Sequence, residues 1–243
     1  MKIKLTLSYD GTNYAGYQVQ DNALTVQEVL ENALEKLTGE KISTVASGRT
    51  DAGVHALGQV VSFETNSTIP PEKFYKALNV YLPYDVKALS SRQVDDSFNA
   101  RKSAKTKTYT YSLYVSETPN PLKERYSSRI PKSVDFSLVK QGALVLEGEH
   151  DFKCMCSTGS SVNTTIRTVY SVKILETKED VKIVVKGNGF LYNMVRIMVG
   201  TLIQIGLKEK TIDDLKKALN TGDRTLVGKT FPAKGLCLTE VEY

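Results

Sequence analysis

Two stretches of the chain pass through the same order of hydrophobic periods, and that order limits the fold more than any single residue does. Residues 3–9 (IKLTLSY) alternate apolar and polar, the period of two that marks a half-buried strand. Thr25 and Glu28 then open a helix as a capping box. Behind them Val26, Val29, Leu30, Ala33, Leu34 and Leu37 keep helical spacing, and Gly39 supplies the stop. Strands are expected over roughly 42–46 and 58–65. PPEKFYKALNVYL follows as a helix with prolines at its start, and DVKALSSRQV as another strand. The order is β-α-β-β-α-β, the split unit of ferredoxin-like folds.

From residue 106 the order recurs. TKTYTYSLYV alternates strongly; a helix is expected over about 136–147, strands near 165–176 and 181–187, a long helix over about 189–207 and a last strand over 236–242. A Thr211 to Asp214 capping box adds a helix over 211–220. The chain is therefore expected to be α+β. Two related ferredoxin-like βαββαβ halves, residues 1–100 and 101–243, would have mainly antiparallel sheets packed to leave a central basic cleft for a large substrate. The duplication is one of element order; no sequence repeat accompanies it.

At 41% hydrophobic and 24% charged, the 243 residues are globular in composition. No run approaches the roughly 20 apolar residues of a membrane span. MKIKLTLSYDGTNY turns polar too soon for a signal peptide, and three cysteines suit a reducing cytosol better than a disulfide framework. A cytoplasmic protein is expected.

Charge is uneven. Eight bases (Arg101, Lys102, Lys105, Lys107, Lys123, Arg125, Arg129, Lys132) stand against Glu117 and Glu124 between residues 101 and 132. That excess of six exceeds the net +5 of the whole chain. Tyr109, Tyr111, Tyr114 and Tyr126 lie among them. Bases interleaved with aromatics suit a phosphate backbone with stacked bases; a solvated basic face with strand tyrosines is the plainer alternative.

GRTDAGVH (48–55) holds the sharpest candidate. Glycines at 48 and 53 permit a tight turn and close approach to a ligand, and Arg49 beside Asp51 would keep a carboxylate ionised for use as nucleophile or base. A structural Asx turn at Asp51 is the competing reading. NGFLYNMVRIMVG is the second. Arg196 sits among Met194, Val195, Ile197 and Met198, where a charge needs an acid or a phosphate, Asp51 being one partner, unless its stem reaches the surface. Three other patterns fail on spacing. GNG (187–189) lacks a third glycine, Gly11 to Gly16 has Tyr17-Gln18 where a P-loop needs Lys-Ser/Thr, and His150, Cys154 and Cys156 match no structural zinc spacing.

GRTDAGVHALGQVVSF, FNARKSAKTKTYTYSLY and GFLYNMVRIMVGTLIQIG together resemble the tRNA pseudouridine synthase A family. SYDGTNYAGYQVQ and TFPAKGLCLTEVEY resemble its two ends. The resemblance implies the pseudouridine synthase fold and an isomerase acting on tRNA anticodon stem-loop uridines at positions 38, 39 and 40. Its members are homodimers that use no metal and no organic cofactor. By motif position it implies Asp51 as the catalytic aspartate and Tyr109 as the tyrosine stacked on the target base. Arg49 would fill the space left by the flipped nucleotide, and Arg196 would be the basic partner of the aspartate. Arg101 joins them as a substrate-binding base. Tyr17 and Asn193 stand where many members carry Trp and His, so substrate contacts at those two places are not implied.

The chemistry is consistent with a single acid. Isomerisation breaks N1–C1′, turns the flipped uracil and rejoins it through C5, with nothing oxidised or consumed. A glycoside hydrolase needs a second carboxyl to protonate a poor leaving group; a resonance-stabilised uracil anion needs less help. A non-catalytic RNA-binding module and a nucleic-acid N-glycosidase remain as alternatives.

Overall fold

The computed structural model describes residues 1–159 and 162–243, which form two compact units. The first is Met1–Lys105 together with Cys237–Tyr243, and the second is Thr106–Leu236. Both are mixed α+β with mainly antiparallel sheets.

In the first unit β1 (Lys2–Tyr9) buries Ile3, Leu5, Leu7 and Tyr9, as its alternation requires. Helix α1 (Val26–Thr38) starts where Thr25 accepts a hydrogen bond from Glu28 N–H at 3.3 Å, and ends at Gly39, φ +74°. Strands β2 (Val45–Ala46), β3 (His55–Glu64) and β4 (Val86–Val94) complete a sheet ordered β4-β1-β3-β2, antiparallel throughout. That is the expected split unit. Helix α2 (Phe74–Leu78) is shorter than its sequence suggests. Just past it the Asn79 side chain pairs with β4, its amide donating to Ala88 O and its carbonyl accepting from Ala88 N–H, both at 2.8 Å, while Tyr81 and Leu82 N–H still donate back to Leu78 O. β10 (Leu236–Glu242) also pairs with β3, in parallel, through Cys237 opposite His55 and Leu238 opposite Ala56.

In the second unit β5 (Thr106–Val115), β9 (Asp180–Gly187), β8 (Ile166–Glu176) and β7 (Gly148–Asp151) lie side by side and antiparallel. β6 (Ser128–Ile130) runs parallel to the end of β5. β6 and β7, of three and four residues, are too short to show a period and were not expected. Helices α3 (Phe136–Leu146), α4 (Met194–Gly206) and α5 (Ile212–Thr221) complete the unit, α5 with its full capping box. Eleven of the 13 residues of α4 are buried, so this helix is core on nearly every side. It begins at Met194 rather than near 189, because Asn193 takes a left-handed conformation (φ +61°) that interrupts helical winding. No helix among the described residues is long and apolar enough to cross a membrane.

Candidate active site

The Asp51 loop runs from Ser47 to Val54, between β2 and β3. Asp51 opens a four-residue turn in which Val54 N–H donates to Asp51 O at 3.1 Å and Gly53 takes φ +75°, the signature of a type II turn. In this loop Gly53 supplies the positive φ and Gly48 takes none. Gly53 N–H donates to Tyr14 O at 3.3 Å. Asp51 is half-buried, Thr50 buried, and Arg49 exposed without an ion pair among the described residues.

The segment Gly11 to Tyr17 holds the loop from one side. Tyr17 N–H donates to Thr50 O at 3.0 Å. A methyl group at Gly16 would stand 2.6 Å from Thr50 O, and one at Gly11 2.0 Å from Val54 O, so these glycines exist for backbone contact with the loop. Their P-loop-like spacing has this separate cause. Tyr17 is buried to 2%, its hydroxyl 3.3 Å from Thr44 Oγ1, and burial pushes its phenol pKa up. It is a packing residue rather than a surface for substrate.

From the other side a row of polar side chains closes on the same loop. Tyr9 hydroxyl lies 2.8 Å from Thr50 Oγ1, Gln59 Nε2 donates to Gly48 O at 2.9 Å, and Ser47 Oγ donates to Gln59 Oε1 at 2.7 Å. His55, which begins β3, accepts from Gly11 N–H at 3.0 Å and stands 3.1 Å from Asp10 Oδ1. No motif in the sequence marks Tyr9, Thr50 or Gln59. The available signal was a glutamine in the inward row of β3, beside Val61 and Phe63.

Tyr109 and Arg196 belong to the second unit. Tyr109 lies on β5 opposite Val185 of β9, buried to 7%, with its ring 5.3 Å from Phe190 and nearly perpendicular to it. Two residues on, Tyr111 donates to Pro232 O at 2.6 Å and shares a 2.8 Å hydrogen bond with Ser128 Oγ. Burial raises its phenol pKa, partly opposed by the nearby Arg196 charge.

Arg196, in the first turn of α4, does not trail its stem to the surface. Its Nε donates to Phe231 O and its Nη1 to Asn193 Oδ1, both at 2.7 Å, while Phe231 N–H donates to Arg196 O at 3.2 Å. Asn193 in turn donates through Nδ2 to Ser157 Oγ at 3.0 Å. A residue flagged only as a departure from the family pattern proves to fix the arginine.

The basic stretch divides. Arg101, Lys102 and Lys105 lie in the first unit and are exposed; Asn99 Oδ1 accepts from the N–H groups of Arg101 and Lys102, 3.0 Å each, and so fixes that turn. Lys132, in the second unit, is also exposed. Lys123 instead pairs with Asp180 at 2.6 Å, and Arg129 donates to Glu117 O at 2.6 Å. Those two bases close loops. Tyr109, Tyr111 and Tyr114 are buried and Tyr126 is exposed. The period of two in β5 turns Tyr109 and Tyr111 inward.

A family model described as tRNA pseudouridine synthase matches residues 6–101 and 143–243. The tRNA pseudouridine synthase A of Clostridium acetobutylicum is 44% identical over 241 residues, covering 99% of each chain. That of Ruminiclostridium cellulolyticum is 44% identical over 244 residues, covering 100% of this chain and 99% of its own. A solved structure titled as a Cbf5-Nop10-Gar1 complex is 16% identical with a TM-score of 0.40, covering 97% of this chain and 48% of that one. With both blocks of the family model matched and full-length relatives at this identity, the chain belongs to the tRNA pseudouridine synthase family and is an isomerase.

Proposed function

We propose that this isomerase converts uridine to pseudouridine in the anticodon stem-loop of tRNA, at positions 38, 39 and 40, with Asp51 as the reacting carboxylate. What supports the reading is the condition of the Asp51 loop. Its backbone is engaged from both sides by hydrogen bonds, and the acid it carries is half-buried.

In the reaction the N1–C1′ bond breaks, the uracil turns, and C5 joins C1′. The C5 proton leaves and N1 gains one, so mass is unchanged. Asp51 starts this either by attacking C1′ or by taking the C2′ proton. A primary-sized slowing by deuterium at C2′ assigns the second course, because attack at C1′ gives only a small secondary effect. Tyr109 stacks on the flipped uracil, Arg49 fills the space it leaves, and Arg196 supplies the positive charge that keeps the carboxylate ionised. Arg101 holds tRNA phosphate. The enzyme acts in the cytoplasm as a homodimer. Nothing is oxidised or consumed, so the reaction calls for no redox cofactor and no ATP, and neither a metal nor an organic cofactor is assigned a role.

The test uses unmodified tRNA with uridines at 38 to 40, incubated with wild type and with Asp51→Ala. Carbodiimide labelling and primer extension locate pseudouridine, and mass spectrometry follows the RNA. Stops at those uridines with wild type alone, at constant mass, are expected. Binding without stops would leave an RNA-binding module, and loss of the uracil mass would make the protein an N-glycosidase.

A further inference from the structure

We propose that Tyr9, Thr50 and Gln59 form a positioning brace that fixes the Asp51 carboxylate by clamping the loop to the β1–β3 pair. The inference rests on Asp51 being the reacting acid, as argued above. The brace begins with a fault in strand pairing. Leu7 lies opposite Gln59, but Tyr9 lies opposite Ala56, so β3 carries one residue more than β1 across this step. The bulge turns Leu57 out to 61% exposure and leaves Gln59 in the inward row, buried to 0% exposure with Val61 and Phe63. A glutamine there is costly unless every polar atom is satisfied.

It is satisfied, and the partners all lead to the loop. Gln59 Oε1 accepts from Ser47 Oγ at 2.7 Å; its Nε2 donates to Gly48 O at 2.9 Å and to the Tyr9 hydroxyl at 3.4 Å. With that oxygen accepting, the Tyr9 proton is directed to Thr50 Oγ1, 2.8 Å away. Thr50 precedes Asp51 directly. The chain of donors thus runs from a strand to the residue beside the acid, and Ser47, Gly48 and Thr50 are each held. No side-chain nitrogen or oxygen that is buried lacks a partner among the described residues.

Such a network costs more to bury than apolar side chains of the same volume, and what it gives in return is one geometry. The phenol of Tyr9 is pushed up to about 12 by burial, so it stays a neutral donor through the working range of any enzyme. None of the three touches the reacting atoms on this reading. They act through Asp51.

The experiment compares wild type with Tyr9→Phe, Thr50→Val, Thr50→Ser and the double variant Tyr9→Phe/Thr50→Val. Single-turnover rate at saturating tRNA, tRNA Kd and Tm are measured for each, at a temperature well below every Tm. Tyr9→Phe and Thr50→Val are expected to slow turnover about 10- to 100-fold with Kd within about twofold of wild type. Thr50→Ser, which keeps the hydroxyl, is expected to restore most of the rate. The double variant should be little slower than either single one, because the two groups act as a unit. Unchanged turnover in folded Tyr9→Phe and Thr50→Val overturns the brace, as does a Kd that weakens in step with the rate, or Thr50→Ser as slow as Thr50→Val. An inactive wild type sinks the functional reading itself, a different result from an active wild type with indifferent variants.

Discussion

The Asp51 loop and the first turn of α4 are fixed through different atoms. Around Asp51 the backbone is fixed, by Tyr14, Tyr17, Gln59 and the close approach of Gly16. At Arg196 the side chain itself is fixed, its Nε on Phe231 O and its Nη1 on Asn193 Oδ1. The difference follows from length. An aspartate has one rotatable carbon between backbone and carboxyl, so fixing the loop nearly fixes the charge. An arginine carries about 2 kcal/mol of side-chain entropy and needs its planar fork gripped directly.

The contrast can be broken most severely at the acid. Asp51→Asn preserves shape and the loop, yet it is expected to lower turnover by about 10⁴-fold or more while tRNA binding changes little; activity within tenfold of wild type would remove Asp51 from the reaction. Arg196→Lys comes next. One ammonium cannot reproduce both bonds of the fork, and turnover should fall about 10²-fold, with Asn193→Ala falling about tenfold through the same arginine. Equal rates for Arg196→Lys and wild type would show that charge alone suffices there. Gly16→Ala sharpens the other side. At φ +97°, with a methyl group 2.6 Å from Thr50 O, it is expected to lower stability by about 2–3 kcal/mol in denaturant unfolding.

Alkali tests the neutral network. Tyr9 is raised from 10.0 to about 12, so above pH 10 the unfolded chain loses a proton that the folded chain keeps. Stability is full below pH 10 and declines as pH rises towards 12, by roughly 3 kcal/mol from this group. The decline should be shallower in Tyr9→Phe. Salt gives the smallest effect. Each of Arg101→Ala and Lys102→Ala should reduce the slope of log K against log salt by about 1, whereas Lys123→Ala, whose base already pairs with Asp180, should leave it unchanged.

What could be read in advance was whatever is written locally. Ile3, Leu5 and Leu7 announce a strand, Thr25 and Gly39 the limits of a helix, and both are found. Helix limits are less legible: α2 begins at Phe74, past its prolines, and α4 begins late because Asn193 adopts a left-handed turn, and neither is visible as a break in hydrophobic period. In the site, the loop around Asp51 is legible as a loop. Its fixtures are not, because Tyr9 and Thr50 lie 41 residues apart, and Tyr9 and Gln59 50. Two tyrosines leave the basic stretch for a related reason. Composition gathers Tyr111 and Tyr114 with the nearby lysines, while strand alternation turns Tyr111 into the core and Tyr114 is buried as well.

The pairing of β10 with β3 has a consequence for how the molecule is made. Cys237 meets His55, and Tyr243 donates to Ala100 O at 2.9 Å under the ammonium of Lys4. The unit translated first is therefore completed last. While the ribosome is still producing residues 106 to 236, the edge of β3 beside His55 and Ala56 waits without its partner, and closing it means joining the most distant parts of the sequence. A nascent chain stalled before Cys237 would carry the whole Asp51 motif and still present an open strand edge to its neighbours.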